Sequence, residues 1–266
     1  MNAQAPDKKR YPSAIAVERA ADILALLGER GSASVMELAE AAGLSGSAVH
    51  RILTALKRKG LIEQDPASER YQLSWGILTL ARSLVNRDQL RTVAVRYMTE
   101  LRDLTGETVT LYVRSGFDRV CIEQVESPQE IRYQAEIGRS LPLYAGASGL
   151  TLLAHMRPEE LEDYLGAVEL RSMTKATITD RAKLERELKR IRKQGYAFAR
   201  NDRLLGLAGV SVPVLDGSGA PSAVITIAGP VERVAAADRE RWIEALQGAT
   251  SSISSVLQGR SSTDGA

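Results

Sequence analysis

The chain has 266 residues, of which 35 are basic and 33 acidic (formal net charge +2) and 44% are apolar. That length suits one large domain or two ordinary ones, and the apolar share excludes a disordered chain. The near-neutral balance excludes a chain-wide nucleic-acid surface, and the single cysteine, Cys121, excludes an internal disulfide and a thiolate zinc cluster.

The opening "MNAQAPDKKRYP" is polar and charged, so a flexible arm over 1–12 is expected and a secretory signal is not. No run approaches the roughly 18 apolar residues of a membrane span, and a cytoplasmic location is the expectation. From Ala14 to Gly28, Ala16, Ala20, Ile23, Leu24 and Leu27 draw one helical stripe. A short helix follows in "SVMELAEAAG", with Ser34 as N-cap, Leu38, Ala39 and Ala42 inward, and Gly43 as the stop. The third helix runs from near Ser45 to Gly60 on a core stripe of Val49, Ile52, Leu53 and Leu56. At about 100° per residue its opposite face carries Ser47, Arg51, Thr54 and Arg58, with His50 and Lys57 on one shoulder. "LIEQDPASERYQL" then reads as strand, turn at Asp65-Pro66, strand, with Arg70 near the hairpin tip.

Helix, helix, turn, basic helix and hairpin is the layout of a winged helix-turn-helix, expected over 13–74, with double-stranded operator DNA as partner. No acid interrupts the stretch from Gly43 to Gly60. Ser45, Ser47, His50 and Arg51 fall at the groove-entering end, followed by Thr54. Lys57, Arg58 and Lys59, and Arg70 on the wing, are placed for phosphates. A solvated helix of a protein–protein module would explain the third helix alone, but not the whole layout. With one other histidine in the chain, His50 has no evident metal partners.

After Trp75 a stripe of Ile77, Leu80, Ala81 and Leu84 predicts a linker helix over 75–89, interrupted at 86–88. A second stripe of Leu90, Val93, Ala94, Tyr97, Leu101 and Leu104 ends at Gly106 and opens a domain expected over 90–259. Exposed stripes of this kind suit helix–helix dimerisation, and packing on its own domain accounts for the second equally well. "ETVTLYVR" alternates as a half-buried strand, "RVCIEQVE" follows a Ser115-Gly116 turn, and a shorter strand is expected near "EIRYQ". "GVSVPVL", "DGSG" and "APSAVITIAG" form a hairpin. Helices are expected near Leu150–Met156, Arg181–Gln194 and Asp238–Leu257, the last with Trp242, Leu246, Ala249, Ile253 and Leu257 on one face. The sum is an α+β domain, antiparallel strands with helices to one side, ending in a flexible tail over 260–266.

In "LPLYAGASGLTLLAHM" a run of small residues leads into a helix. Unpaired N–H groups around Gly146, Ala147 and Ser148, with the positive end of the helix dipole, would hold a carboxylate. A tight turn with close packing explains the same residues. "GASGL" resembles a nucleophile elbow, but Leu150 replaces its closing glycine. His155, expected on the helix surface, lies about two turns from Ser148, roughly 10 Å by helix rise. Cys121 sits in a strand without a basic environment. No enzyme, cofactor or metal is expected.

The chain resembles the IclR family of bacterial transcriptional regulators. The motifs that carry the likeness are "VERAADILALL", "SVMELAEAAGLSGSAVHRILTALKRKGLIEQDPASERYQL", "EIGRSLPLYAGASG", "QGYAFARND" and "GVSVPVLDGSGAPSAVITIAGP", and it extends from about Ala14 to Leu257. The resemblance implies a homodimer or homotetramer with a winged-helix head, a linker helix and a GAF-like domain that binds a small organic acid effector. It places the effector at Gly146, Ala147 and Ser148, with further contacts at Tyr133, Leu141, Ala199, Gly209, Thr226 and Ala228. The chain departs from many relatives: Ala199 replaces a frequent acid, Gly209 and Ala228 are small, and Leu150 stands where lysine is common. These departures imply a roomier, more apolar pocket for an aromatic or otherwise bulky acid, its far end on Tyr133 or Tyr112. The expected function is an effector-responsive regulator, by preference a repressor, on a pseudo-palindromic operator. A ligand-independent DNA-binding protein with a vestigial sensor domain is the alternative.

Overall fold

A computed structural model describes residues 12–87, 89–236 and 239–261. The expected arm lies outside the described residues except for Pro12, as do Asp88, Asp238 and the tail from 262 on. The chain divides into two compact units, Met1–Arg87 and Asp88–Ala266.

The first unit comprises α1 (Pro12–Arg30), β1 (Ser32–Ala33), α2 (Val35–Ala42), α3 (Gly46–Arg58), β2 (Ile62–Gln64), β3 (Tyr71–Leu73) and α4 (Gly76–Arg87). Local chemistry sets its boundaries. Ser34 and Glu37 form a reciprocal capping box: Ser34 Oγ accepts from Glu37 N–H at 3.3 Å, and Glu37 Oε2 accepts from Ser34 N–H at 2.7 Å. Gly43 ends α2 in the left-handed region, φ 61°. Ile23, Leu27, Leu38, Val49, Leu53 and Ile62 are buried together, each contributing about 1.5–3 kcal/mol of transfer free energy. The two-residue β1 gives the wing sheet the order β1-β3-β2. Nothing in so short a stretch has a period, so it was not legible in the sequence.

The second unit comprises α5 (Gln89–Thr105), β4 (Thr108–Ser115), β5 (Asp118–Val125), β6 (Ser140–Pro142), α6 (Ala147–His155), α7 (Pro158–Ala167), α8 (Arg181–Gln194), β7 (Ala197–Arg200), β8 (Leu207–Leu215), β9 (Pro221–Pro230), α9 (Val231–Ala236) and α10 (Arg239–Ser261). One antiparallel sheet runs β6-β5-β4-β9-β8-β7. Helices cover both of its faces, not one. Val109, Leu111, Val210 and Ile225 pack under α5 and α10, whereas Tyr112, Cys121 and Val224 pack with α6 and α8. β4 is therefore buried along both faces through Tyr112, and its polar positions Thr108 and Thr110 are interior.

The strand expected near "EIRYQ" is absent. Side chains hold that segment instead: Thr108 Oγ1 donates to Tyr133 O at 2.6 Å and Gln124 Oε1 accepts from Ala135 N–H at 2.9 Å. The edge of β5 pairs with β6, Arg119 opposite Leu141. Register then fixes what lies above the sheet. Ala199 pairs with Gly209, Gly209 with Ala228 and Ala228 with Thr108, a row of small side chains across four strands. Those missing side chains leave a hollow under the start of α6.

Candidate functional site

On α3, Ser45, Ser47, His50, Arg51, Thr54, Lys57, Arg58 and Lys59 are all exposed. Ser45 is the N-cap: its Oγ accepts from Ala48 N–H at 3.3 Å and lies 3.2 Å from Ser47 Oγ. Thr54 Oγ1 donates back to His50 O at 2.8 Å. Arg51 borders a groove against Ala16 and Ala20 of α1. Lys57 Nζ meets the neutral Gln64 Oε1 at 3.4 Å. None of Arg51, Lys57, Arg58 and Lys59 forms an ion pair among the described residues.

Arg70 behaves otherwise. It sits where the hairpin turn meets β3, just beyond the Gln64–Tyr71 pair, and its side chain turns back toward Ser32 and Glu37. Its Nε donates to Ser32 Oγ at 3.2 Å, Nη2 donates to Ser32 O at 3.0 Å, and Nη2 lies 2.8 Å from Glu37 Oε2. The backbone N–H of Ser34 and then Arg70 hold the Glu37 carboxyl below its ordinary range. Arg70 ties the wing to β1 and α2 through Ser32 and Glu37.

In the second unit the hollow beneath α6 is a cavity of about 390 Å³ including its mouth. It is lined by Tyr133, Gly146, Ala147, Ser148, Ala199, Gly209, Thr226 and Ala228, eight of the nine expected effector positions. Leu141 is not among them. It is buried beside a neighbouring hollow that shares Tyr112, Tyr133 and Arg203, because pairing of β6 with β5 carries it to the sheet edge. Gly146 has φ 86°, and a Cβ there would come within 2.9 Å of Arg119 Nη2, so conformation and space both require glycine.

The wall of the pocket also carries charge. Arg119, Asp202 and Arg203 enter it beside the small residues. Sequence reading missed all three. Arg119 opens β5 and faces the same side as Cys121, and alternation alone would have turned it inward. It is 1% exposed. Its Nη1 donates to Pro142 O, its guanidinium carbon lies 5.5 Å from the Tyr112 ring centre, and its Nε has no partner. Burial lowers its pKa to about 10, with nearby Arg203 adding to the fall and Tyr112, Tyr133 and Asp202 opposing it. At neutral pH it is a buried cation, costly until an anion joins it.

Asp202 Oδ2 accepts from Gly146 N–H at 2.7 Å, capping α6 where glycine has no side chain to do so. Its position is held from behind. Thr177 Oγ1 donates to Asp202 O at 2.5 Å, Thr174 Oγ1 donates to Asn201 O at 2.5 Å, and Asn201 takes φ 56°. Arg203 Nη2 donates to Tyr133 Oη at 3.1 Å, and the hydroxyls of Tyr133 and Tyr112 are 3.3 Å apart. Burial, then Tyr133, pushes the Tyr112 phenol up, so it stays a neutral donor.

Ser148 lines the pocket without a base. His155 is half-buried rather than on the surface, its Nδ1 lies 2.9 Å from Thr151 O, and burial lowers its pKa. The buried Cys121 thiol is pushed up to about 11 by burial, which keeps it protonated. Among the described residues no helix is long and apolar enough to cross a membrane, and no His, Cys, Asp and Glu group is arranged to hold a metal ion.

Two family models match the chain: "IclR helix-turn-helix domain" over residues 16–66 and "Bacterial transcriptional regulator IclR C-terminal" over 82–255. The chain is 33% identical over 250 residues to the HTH-type transcriptional regulator KdgR of Escherichia coli (strain K12), spanning 94% of this chain and 95% of that protein. It is 30% identical over 206 residues to the transcriptional repressor IclR of the same organism, spanning 77% and 75%. The crystal structure of the Thermotoga maritima IclR shares the fold with a TM-score of 0.65 at 32% identity, over 91% of this chain and 98% of that one.

Proposed function

The chain belongs to the IclR family of bacterial transcriptional regulators, and from that premise we propose that it is a repressor released from a pseudo-palindromic operator by a small organic acid. Membership makes it a DNA-binding regulator with a C-terminal effector domain. The observation that carries the organic acid is Arg119: a buried, protonated guanidinium with an unpartnered Nε, lining a cavity at a helix N-terminus. An acid supplies the countercharge that the fold withholds.

The operator side rests on the unpaired cations of α3. Ser47, His50, Arg51 and Thr54 read base edges, while Lys57, Arg58 and Lys59 bind phosphate, with Ser45 ordering the helix end between them and the turn. Exposed Trp75, Leu78, Leu80 and Leu84 on and beside α4 support a homodimer, or a tetramer built from two, that presents two reading heads to two half-sites. The effector shifts the heads through this linker by no more than its difference in affinity for the two arrangements.

Fluorescence anisotropy of the full chain on its own upstream intergenic DNA, at two salt concentrations and with a panel of carboxylic acids, tests the proposal. Specific binding weakened by an acid supports it. Specific binding that no acid alters supports instead a regulator with a vestigial sensor. Binding without sequence preference refutes the operator assignment.

A further inference from the structure

The charge of the cavity depends on a single residue. Arg119 and Arg203 bring two positive charges to its wall and Asp202 brings one negative. Asp202 pairs with neither arginine: its carboxylate faces Gly146 N–H, while Arg203 engages Tyr133 and Arg119 engages Pro142 O. The two arginines converge on the first turn of α6, since a Cβ on Gly146 would lie 2.9 Å from Arg119 Nη2 and 3.7 Å from Arg203 Cδ. There the N–H groups of Ala147 and Ser148 have no partner within the helix.

We propose that Asp202 is a specificity-determining residue, holding the cavity at one net positive charge so that it accepts singly charged acids and rejects doubly charged ones. This rests on the effector-domain reading above. One carboxylate between Arg119 and Arg203 neutralises the site. A second would sit against the Asp202 carboxylate at low local dielectric, where like charges repel strongly. Asp202 does not yield, because Thr174, Thr177 and Asn201 fix its backbone. Its withdrawal would also strip the capping acceptor from Gly146 N–H.

The test is calorimetric titration of the full-length protein at pH 7.5, well above the ordinary carboxylate range. The probes are matched pairs in which a methyl becomes a carboxylate: butyrate and succinate, hexanoate and adipate, 4-methylbenzoate and terephthalate. At least one monoacid should bind about tenfold or more tightly than its diacid partner. Asp202→Asn keeps an acceptor for Gly146 N–H while removing the charge, and should shift the ratio toward the diacid by about tenfold or more. Arg203→Gln, half-buried and spared the capping role, should weaken the monoacid about tenfold without improving the diacid. Thermal midpoints of both variants report their folding. Equal or tighter diacid binding by the wild type, or an unchanged ratio in Asp202→Asn, overturns the assignment while leaving the effector pocket standing. If no acid of either kind binds the wild type, the pocket reading falls as well.

Discussion

Two sets of cations without carboxylate partners, one on α3 and one beneath α6, have completely different surroundings. Arg51, Lys57, Arg58 and Lys59 stand in water on one face of α3. Arg119 is 1% exposed beneath α6. Arg114, Arg132 and Arg233 of the second unit, by contrast, find the carboxylates of Glu160, Glu126 and Glu107. A hydrated cation costs almost nothing to leave unpaired, so a row of them suits an extended polyanion that binds by releasing counterions. A buried one is costly to leave unpaired, so a fold that keeps it is built for a small anion of defined shape.

The sharpest way to break this contrast is Arg119→Met, which keeps the volume and removes the charge. Acid affinity should fall about 100-fold or more, while ligand-free thermal stability holds or rises, as for other buried charges replaced by apolar side chains. A large loss of stability with acid binding intact would make Arg119 a strut. Next in size is Gly149→Ala, whose Cβ would meet Leu143 O at 2.3 Å and Arg119 Nη1 at 2.5 Å. Denaturant titration should show a loss of about 1–3 kcal/mol; a neutral result would mean that α6 shifts freely over its seat.

On the exposed side, Arg51→Ala should cost about 1–3 kcal/mol of discrimination at one base position. Lys59→Ala should weaken all duplexes alike and lower the salt slope by about one. Matching behaviour of the two variants would erase the split between base and phosphate contacts. The smallest effect is expected at Arg70→Ala. Bound to Ser32 and Glu37, Arg70 should contribute up to about 1 kcal/mol of stability and nothing to the salt slope. A flatter slope would return it to the phosphate set.

The first unit was legible almost throughout because its signals are local. Capping by Ser34 and Ser45, the stop at Gly43 and the stripe of Val49, Leu53 and Leu56 all operate within one or two helical turns. The partners of Arg70 were not legible for a matching reason: Ser32 and Glu37 are more than thirty positions away. In the second unit the strand near "EIRYQ" was misread because side chains of Thr108 and Gln124, not a strand partner, satisfy its backbone.

For the pocket, the motif around Gly146 and the small residues Ala199, Gly209 and Ala228 were readable, and from them a roomy apolar site followed. The long-range pairing of β5 with β6 and the loop at 201–206 add charge to that site. They bring Arg119, Asp202 and Arg203 from two distant segments to one helix end. By itself, then, the sequence determined what its short periods and caps encode: a winged helix with a bare cationic face and a sheet with a glycine-rich helix start. The tertiary structure alone decided the charge of the cavity. Charge in a pocket is a sum over side chains whose proximity no local pattern records, and burial changes what each of them costs.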